Sequence, residues 1–490
     1  MLSVRNKLII FFLLPFLHSA SSFAQTGNGS HPPNVVVLLV DDLGWTDTHC
    51  YGSSFYETPN IDKLAATGMR FTNAYAACNV CSPSRASILT GKYPARLQVT
   101  DWINGYDRPF ARLLPPEWKQ YLPLEETTIA EVLKQQHYAT ASIGKWHLGD
   151  DVKYYPENQG FDLNKGGTFQ GSPPGYFSPY HIPRLKDGST GEYLTDRLTN
   201  EALDFINAQK KNPFFLYLSF YAVHTPLQAK EKDVQDYKTK INANAAQQNP
   251  VYAAMIKSVD ENIGRVTALL EKLGLLQNTL IVFTSDNGGL VKGNNWAKGK
   301  ITSNAPLRGG KGTCYEGGTR VPLICCWNGK IKAGVVTDVP VIGTDLFPTI
   351  AQVAGKIIKD TAVDGISFSS VLFGKNNRKR NTLYWHYPHY HAEGATPYSA
   401  IRQDNWKLIY FYETGKKELY NLKTDIGEKN DLSTSQPVLT KALMQKLKAW
   451  KTKVGAQDPL PNPSYDSKRE KEGMAHQKRY VKDSLNAEEN

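Results

Sequence analysis

The sequence predicts an α/β fold: a mainly parallel sheet flanked by helices, followed by a smaller C-terminal α+β domain containing an antiparallel sheet. Three observations predict it. Near-continuous apolar runs of strand length recur at 34–40, 139–144, 213–223 and 279–285, as strands buried on both faces do. Helical patterns separate these runs, and alternation of strand and helix gives parallel pairing. From about residue 360 the texture changes to short alternating strands and Tyr-rich loops, which reads as antiparallel.

In chain order, "NVVVLLV" is the first buried strand, and it ends in Asp41-Asp42. "TTIAEVLKQQ" opens with Thr128-Ile129-Ala130-Glu131, a capping box that starts a helix. "ATASIG" follows as a strand and ends in "KWHLG"; "PFFLYLSFYAV" is the next and ends in "HTP". "MIKSVDENIGRVTALLEKLG" places Met255, Val259, Ile263, Val266 and Leu270 on one face of a helix that stops at Gly274, where glycine suits a C-terminal cap. "TLIVFTS" is a strand ending in Asp286-Asn287-Gly288-Gly289, and "VPLICCW" is another, which points Cys325 and Cys326 to opposite faces. Beyond the boundary, "SAIRQDNWKLIYFYETGKKELYNLKTD" reads as strands with a turn at Thr414-Gly415, and a basic amphipathic helix follows near "LTKALMQKLKAWKTK".

The N-terminus has a basic start at Arg5 and Lys7, an apolar run from Leu8 to Leu17, and small residues before Ala24. That is the pattern of a secretory signal peptide, so the expected organisation is a signal peptide at 1–24, a catalytic domain at 25–360 and a C-terminal subdomain with a charged tail at 361–490. The expected location is periplasmic or extracellular, soluble, without a membrane span. The net charge of +11, with a cluster at Arg378, Lys379 and Arg380, favours anionic partners. None of the common nucleic-acid-binding signatures is present, so acidic glycans are the better match.

Six cysteines in 490 residues exclude a disulfide-dense scaffold. Cys78 and Cys81 have the spacing of a redox or zinc pair, but no second C-x-x-C or H-x-x-x-H supplies the other zinc ligands. A thioredoxin-like pair should open the helix of a βαβ unit; here Ser82-Pro83-Ser84-Arg85 follows the second cysteine directly.

In open parallel sheets ligands sit beyond the carboxyl ends of the strands, which is where the polar endings fall. Asp41, Asp42, Asp286 and Asn287 offer carboxylate and amide oxygens, a donor set for a hard divalent cation such as calcium or magnesium. Lys145, His147, His224, Arg85 and the Lys311 of a Gly-rich loop, grouped around that cation, would form a pocket for a tetrahedral oxyanion, sulfate or phosphate. The Gly-rich loop lacks P-loop spacing.

Cys81-Ser82-Pro83-Ser84-Arg85, with "ASILTG" after it, resembles the C-x-P-S-R maturation signature of the type I sulfatases, within the alkaline-phosphatase-like superfamily. "VVVLLVDDLGW", "GKWHLG", "HTP", "SDNGG" and "GGKGTCYEGGTRVP" are similar to that family's other blocks, in its order. The resemblance implies that Cys81 is oxidised by a formylglycine-generating maturase to formylglycine, whose hydrate has one hydroxyl to take the sulfuryl group and a second to expel it. It implies that Asp41, Asp42, Asp286, Asn287 and the modified Cys81 hold calcium, with Asp286 accepting the proton of the attacking hydroxyl and Arg85 fixing the diol. It further implies that Lys145 and Lys311 neutralise the sulfuryl oxygens, that His224 protonates the departing alcohol, and that His147 takes the proton whose loss releases sulfate. Cys78 is then a packed neighbour.

The implied substrate is a sulfated glycan, as for bacterial carbohydrate sulfatases, with an exo-acting preference for galactose or N-acetylgalactosamine 4-O-sulfate. Asp101 and Trp102 in "QVTDWINGYDRP", and His386, His389 and Arg402 in "YWHYPHYHAEGATPYSAIRQ", are the candidate sugar-binding residues. Three alternatives compete: a phosphodiesterase or phosphonate monoester hydrolase of the same superfamily, a two-zinc phosphatase, and a catalytically silent glycan-binding protein. The calcium-type ligands and full oxyanion pocket argue against the first. The second needs more His and Asp ligands than these blocks hold. The third should have lost Cys81, Arg85 or a pocket Lys or His.

Overall fold

The run from Asn34 to Val40 carries apolar side chains at every position after the first because both of its faces are covered. It is strand β1 (Asn34–Val40), inside an eight-stranded sheet. The computed structural model of the chain describes residues 32–475, except 243, 295–296 and 376–379. The expected signal peptide, the end of the charged tail, and Arg378 and Lys379 of the basic cluster lie outside the described residues. The other strands of this sheet are β2 (Met69–Phe71), β3 (Ala139–Gly144), β4 (Leu163–Lys165), β5 (Phe214–Ser219), β6 (Thr279–Ser285), β7 (Leu323–Cys326) and β8 (Val335–Thr337). Their order is β8-β2-β7-β6-β1-β5-β3-β4. Every neighbouring pair is parallel except the two made by β7.

Alternate residues of β1 enter different cores. Val36, Leu38 and Val40 pack with helices α3 (Leu194–Gln209) and α4 (Pro250–Lys272), while Val35, Val37 and Leu39 pack with α1 (Cys81–Thr90), α2 (Ile129–Lys134) and α5 (Leu346–Val353). The predicted face of α4 is inside: Met255, Val259, Ile263, Val266 and Leu270 are all buried. Burying each such side chain stabilises by about 1.5–3 kcal/mol before entropy is counted. The capping box of α2 is formed, with Thr128 Oγ1 accepting from Glu131 N at 3.2 Å and Glu131 Oε2 accepting from Thr128 N at 2.7 Å. Cys325 and Cys326 do face opposite cores, and all six cysteines are free thiols.

The run predicted as a strand over 213–223 leaves the ladder after Ser219. Its continuation turns under the end of β1, where Asp41 N donates to Ala222 O at 2.9 Å and Val223 N donates to Asp41 O at 2.8 Å. Apolar composition marks burial, and here a buried connection has the same composition as the strand before it.

In the C-terminal part, β9 (Thr382–Tyr387), β10 (Tyr398–Gln403), β11 (Trp406–Phe411) and β12 (Lys417–Asn421) form an antiparallel sheet in sequence order. Gly415 makes the turn between the last pair at φ +68°, a conformation glycine adopts without a Cβ penalty. Helix α6 (Pro437–Val454) lays Leu443, Leu447, Trp450 and Val454 on this sheet, and Trp450 stacks on Tyr384 with ring centres 4.7 Å apart. The same core receives Tyr75, Ala77, Cys78 and Val80 from the stretch before Cys81, so the C-terminal sheet supports the start of α1. Among the described residues no helix is long and apolar enough to cross a membrane.

Candidate active site

Strands β6, β1, β5 and β3 are consecutive and parallel, so their carboxyl ends share one rim. Each delivers polar groups there: Asp41 and Asp42 after β1, Lys145 and His147 after β3, Ser219 and His224 at and beyond the end of β5, Asp286 and Asn287 after β6. Cys81 is the first residue of α1, and Arg85 stands one turn later on the same helix face. Lys311 comes from the Gly-rich loop, whose backbone is pinned by Lys311 N to Gly289 O at 3.1 Å and Gly312 N to Asn79 O at 2.9 Å. Gly312 has φ +71°, and a Cβ there would lie 2.2 Å from His391 Nδ1, so only glycine fits.

The site is a buried lattice of opposite charges. Arg85 donates from Nε to Asp286 Oδ2 at 2.9 Å and from Nη1 to Lys145 O at 3.0 Å and Ser219 Oγ at 2.6 Å. Its Nη2 lies 2.7 Å from Asp286 Oδ2. Lys145 Nζ reaches Asp41 Oδ2 at 2.7 Å, and Lys311 Nζ reaches Asp42 Oδ2 at 2.8 Å. His224 Nε2 is 3.6 Å from the same Asp42 oxygen. Burial pushes the carboxyl of Asp41 well above the ordinary range despite Lys145. Burial is the largest single influence on Asp42 and Asp286 too, but the surrounding basic groups together outweigh it, Lys311 with His224 and Lys145 at Asp42 and Arg85 with Lys145 at Asp286, and both stay low. Burial raises the Cys81 thiol, with Lys145 and Lys311 only partly opposing it, so the site does not favour a thiolate.

Potential ligand atoms of Asp41, Cys81 and Asp286 lie within 4.8 Å of one another, as do those of Asp42, Cys81 and His224. Asn287 Nδ2 donates to Asp42 Oδ1 at 2.8 Å. Asn287 Oδ1 and Asp41 Oδ1 are buried without a hydrogen-bond partner, although buried oxygens are ordinarily satisfied. Unsatisfied carboxylate and amide oxygens beside two further carboxylates suit a hard divalent cation, which takes oxygen ligands, and calcium among these tolerates irregular geometry.

The two histidines have assignable tautomers. His147 Nε2 meets the carbonyl oxygen of Ile103, which can only accept, so the proton is on Nε2. Nδ1 has no partner. Burial, aided by Lys145, holds His147 well below its ordinary pKa, so it is neutral with a bare Nδ1 lone pair. His224 Nδ1 donates to Thr225 O at 2.8 Å, which leaves Nε2 toward Asp42. Burial and then Lys311 lower its pKa to about 3.

Two of the five candidate sugar-binding residues lead into this site, and one supports them. Asp101 Oδ1 accepts from Tyr387 at 2.6 Å and from Trp102 N at 2.9 Å. It thereby holds the segment that continues to Ile103, whose N–H donates to Ser82 Oγ at 3.1 Å. Trp102 Nε1 is buried without a hydrogen-bond partner. His389 Nε2 bonds Thr100 Oγ1 at 2.8 Å, behind that segment. His386 and Arg402 are not brought to the site. The ring nitrogens of His386 are taken by Ser399 Oγ at 2.7 Å and Gln457 O at 2.8 Å. Arg402 donates to Tyr75 and to Asp404 O, inside a structural ion network. Sequence reasoning missed Ser219, which orients Arg85. It also missed the pair His391 and Glu393, 2.5 Å apart beside Gly312, where Glu393 feels the charges of Lys311 and Asp42. His391 and Glu393 stand in the aromatic, His-rich segment already singled out, but nothing in its pattern distinguishes His391 from His386.

Known proteins resemble this chain along most of its length. Residues 33–356 match the family described as Sulfatase, and residues 310–453 match N-sulphoglucosamine sulphohydrolase, C-terminal. The chain is 33% identical over 530 residues to a sulfatase of Formosa agariphila, covering 92% of this chain and 94% of that protein. It is 36% identical over 401 residues to the N-acetylgalactosamine-6-sulfatase of Rattus norvegicus, covering 76% and 71%. The crystal structure of Ps i-CgsB superposes with a TM-score of 0.74 at 31% identity, covering 89% of this chain and 95% of that one.

Proposed function

This chain belongs to the sulfatase family and is a sulfuric ester hydrolase, and from that premise we propose that it desulfates galactose or N-acetylgalactosamine units of a sulfated glycan, using formylglycine made from Cys81 and calcium. The observation that carries the reading is the buried lattice around Cys81, in which three cations and two unsatisfied oxygens surround a residue whose own thiol is kept protonated. The sugar is supported by the likeness to N-acetylgalactosamine-6-sulfatases and to Ps i-CgsB, also crystallised in complex with k-i-k-neocarrahexaose. The ester expected from the sequence is the 4-O-sulfate, and the names of these relatives make the 6-O-sulfate its competitor.

Asp41, Asp42, Asp286 and Asn287 would hold the calcium ion, which when bound supplies Lewis-acid polarisation of a sulfate oxygen and acidifies a neighbouring hydroxyl. Formylglycine, when formed, supplies as its hydrate a hydroxyl to receive the sulfuryl group and another whose deprotonation expels it. The other steps belong to residues already in place. Arg85, locked by Asp286 and Ser219, orients position 81. Lys145 and Lys311 each give one ammonium donor to an aspartate and keep others for the sulfuryl oxygens, stabilising charge that grows in the transition state. Asp286, held ionised by Arg85, takes the proton of the attacking hydroxyl. His224 presents Nε2 to the leaving oxygen, and the negative charge of a bound sulfate ester favours its protonation. His147, with Nδ1 bare, accepts the proton of the expelling hydroxyl.

Cys81 is 2% exposed in the folded chain, so the maturase must act before folding is complete. Export through the N-terminal signal accords with a glycan substrate outside the cytoplasm. The test is sulfate release from 4-O- and 6-O-sulfated galactose and N-acetylgalactosamine, using protein coexpressed with a maturase and shown by mass spectrometry to carry the aldehyde at position 81. Release from the 4-O-sulfates is expected. Unmodified thiol in protein that is fully active would overturn the nucleophile, and release only from gluco-configured sulfates would overturn the sugar.

A further inference from the structure

A groove of about 670 Å³ runs between the edge strand β12 and helix α6, well apart in sequence from the catalytic blocks. Its walls are basic. Lys441 and Lys448 line it with Met444 between them, a spacing of three and four residues that puts all three on one helix face, the two ammonium stems about two turns apart. Lys416 and Lys417 approach from the strand side. Among the described residues Lys417, Lys441 and Lys448 have no ion-pair partner, while Lys416 pairs with Glu418 at 2.7 Å. The acid in the groove, Asp431, is turned to the backbone: its Oδ1 accepts from Leu419 N at 3.0 Å and Ser433 N at 2.8 Å.

The positive surface continues toward the active-site loop. Glu418, beneath Lys416, also accepts from Tyr315 at 3.1 Å and lies 4.0 Å from Arg308. Arg308 covers the Tyr315 ring at 3.6 Å and begins the Gly-rich stretch that carries Lys311. Three unpaired ammonium groups over an apolar floor match a chain that alternates sulfate groups with sugar faces, and their charge selects for an anion rather than a neutral glycan.

We propose that this groove is a second binding site for sulfated polysaccharide, holding a segment of the chain remote from the ester being cleaved. The inference rests on the sulfated-glycan reading above. It makes the enzyme retain polymer through Lys417, Lys441 and Lys448 independently of the Cys81 pocket.

The test uses the full chain carrying Cys81→Ala, so that nothing is turned over, with immobilised chondroitin 4-sulfate and carrageenan as probes and their desulfated forms as controls. The expected result is binding of a sulfated polymer and not its desulfated form, weakened about tenfold or more by Lys417→Glu/Lys441→Glu/Lys448→Glu and steeply salt-dependent before but not after the substitution. The matching Lys→Arg triple should bind like the parent, which separates lost charge from lost fold. In the matured enzyme the Glu triple should leave kcat/KM on sulfated monosaccharides within about twofold while raising KM on polymer. Unchanged polymer affinity in the Glu triple overturns the groove, as does failure of the parent to bind either polymer. So does a triple that loses only adhesion to anionic phospholipid vesicles. Inactivity of matured wild type on every sulfated sugar would instead overturn the proposed function, whatever the groove binds.

Discussion

Two buried clusters of charge lie in this molecule, and they are built to different rules. Under the C-terminal sheet, Glu316 accepts from Lys407 at 3.0 Å with one oxygen and from Tyr75 and Arg320 at 2.7 and 2.8 Å with the other. Glu428 completes the group, with Oε2 on Glu316 N at 2.7 Å and Oε1 2.9 Å from Lys407. Around Cys81 the charges are as dense, yet Asn287 Oδ1 and His147 Nδ1 have no hydrogen-bond partner, and Asp41 Oδ1 has only Arg85 Nη2 at 3.4 Å, where Glu428 Oε1 keeps Lys407 at 2.9 Å. A buried network whose carboxylates keep close ionic or hydrogen-bonded partners holds structure together; one that leaves an amide oxygen and a ring nitrogen bare and a carboxylate oxygen loosely paired is prepared for something else. Removing a charge should therefore cost folding in the first cluster and chemistry in the second.

The sharpest separation should come from Cys81→Ala, which is expected to lower sulfate release by at least about 10³-fold with an unfolding midpoint close to the parent's; a variant that unfolds instead would make Cys81 a packing residue. Next, Glu316→Ala should destabilise by about 3–5 kcal/mol, because it strands Lys407 and Arg320 in the interior. Denaturant titration measures that loss, and kcat per folded molecule should hardly change.

Chelation extends the contrast to the cation. Exhaustive removal of divalent metal should abolish activity and lower stability, and calcium at 100 times its Kd should restore about 2.7 kcal/mol, read as a rise in unfolding midpoint. Equal stability with and without calcium would deny the aspartate cluster its ion. A smaller effect is expected from Ser219→Ala, which removes one charge-assisted bond to Arg85, worth about 1.5–3 kcal/mol. It should lower kcat more than it raises KM, since Arg85 orients and does not bind the sugar.

The smallest effect is a pH slope. Burial raises Glu428 to about 7, Lys407 opposing and Glu316 reinforcing, while Glu316 itself is held low because Lys407 and Arg320 overcome its burial. Glu428 thus binds its proton more tightly folded than unfolded. Between the ordinary carboxyl value of about 4.5 and about 7 the folded state holds the extra proton, so this group's contribution to stability falls as pH rises through that window. Glu428→Gln should flatten the stability profile there, and an unaltered slope would place the titration elsewhere.

Much of the site was readable because its residues follow buried strands directly. Asp41, Asp42, Lys145, His147, Asp286 and Asn287 are at most three residues beyond an apolar run, and a parallel sheet brings such ends together. Cys81 was readable from the residues after it. His386 and Arg402 were misread because residue type states what a side chain can bind, while Ser399, Gln457, Tyr75 and Asp404 state what it does bind. Ser219 escaped notice because a serine closing an apolar strand has no local signal of its task.

The one-dimensional pattern sufficed for the order of strands and helices, for the donor types at each strand end and for singling out Cys81 among the six cysteines, since all of these depend on near neighbours. Which histidine keeps a bare nitrogen, which carboxylate oxygen is left loosely paired and which lysines line an open groove depend on contacts between residues far apart in the chain. Those contacts exist only once the sheet, its cores and the C-terminal subdomain have packed.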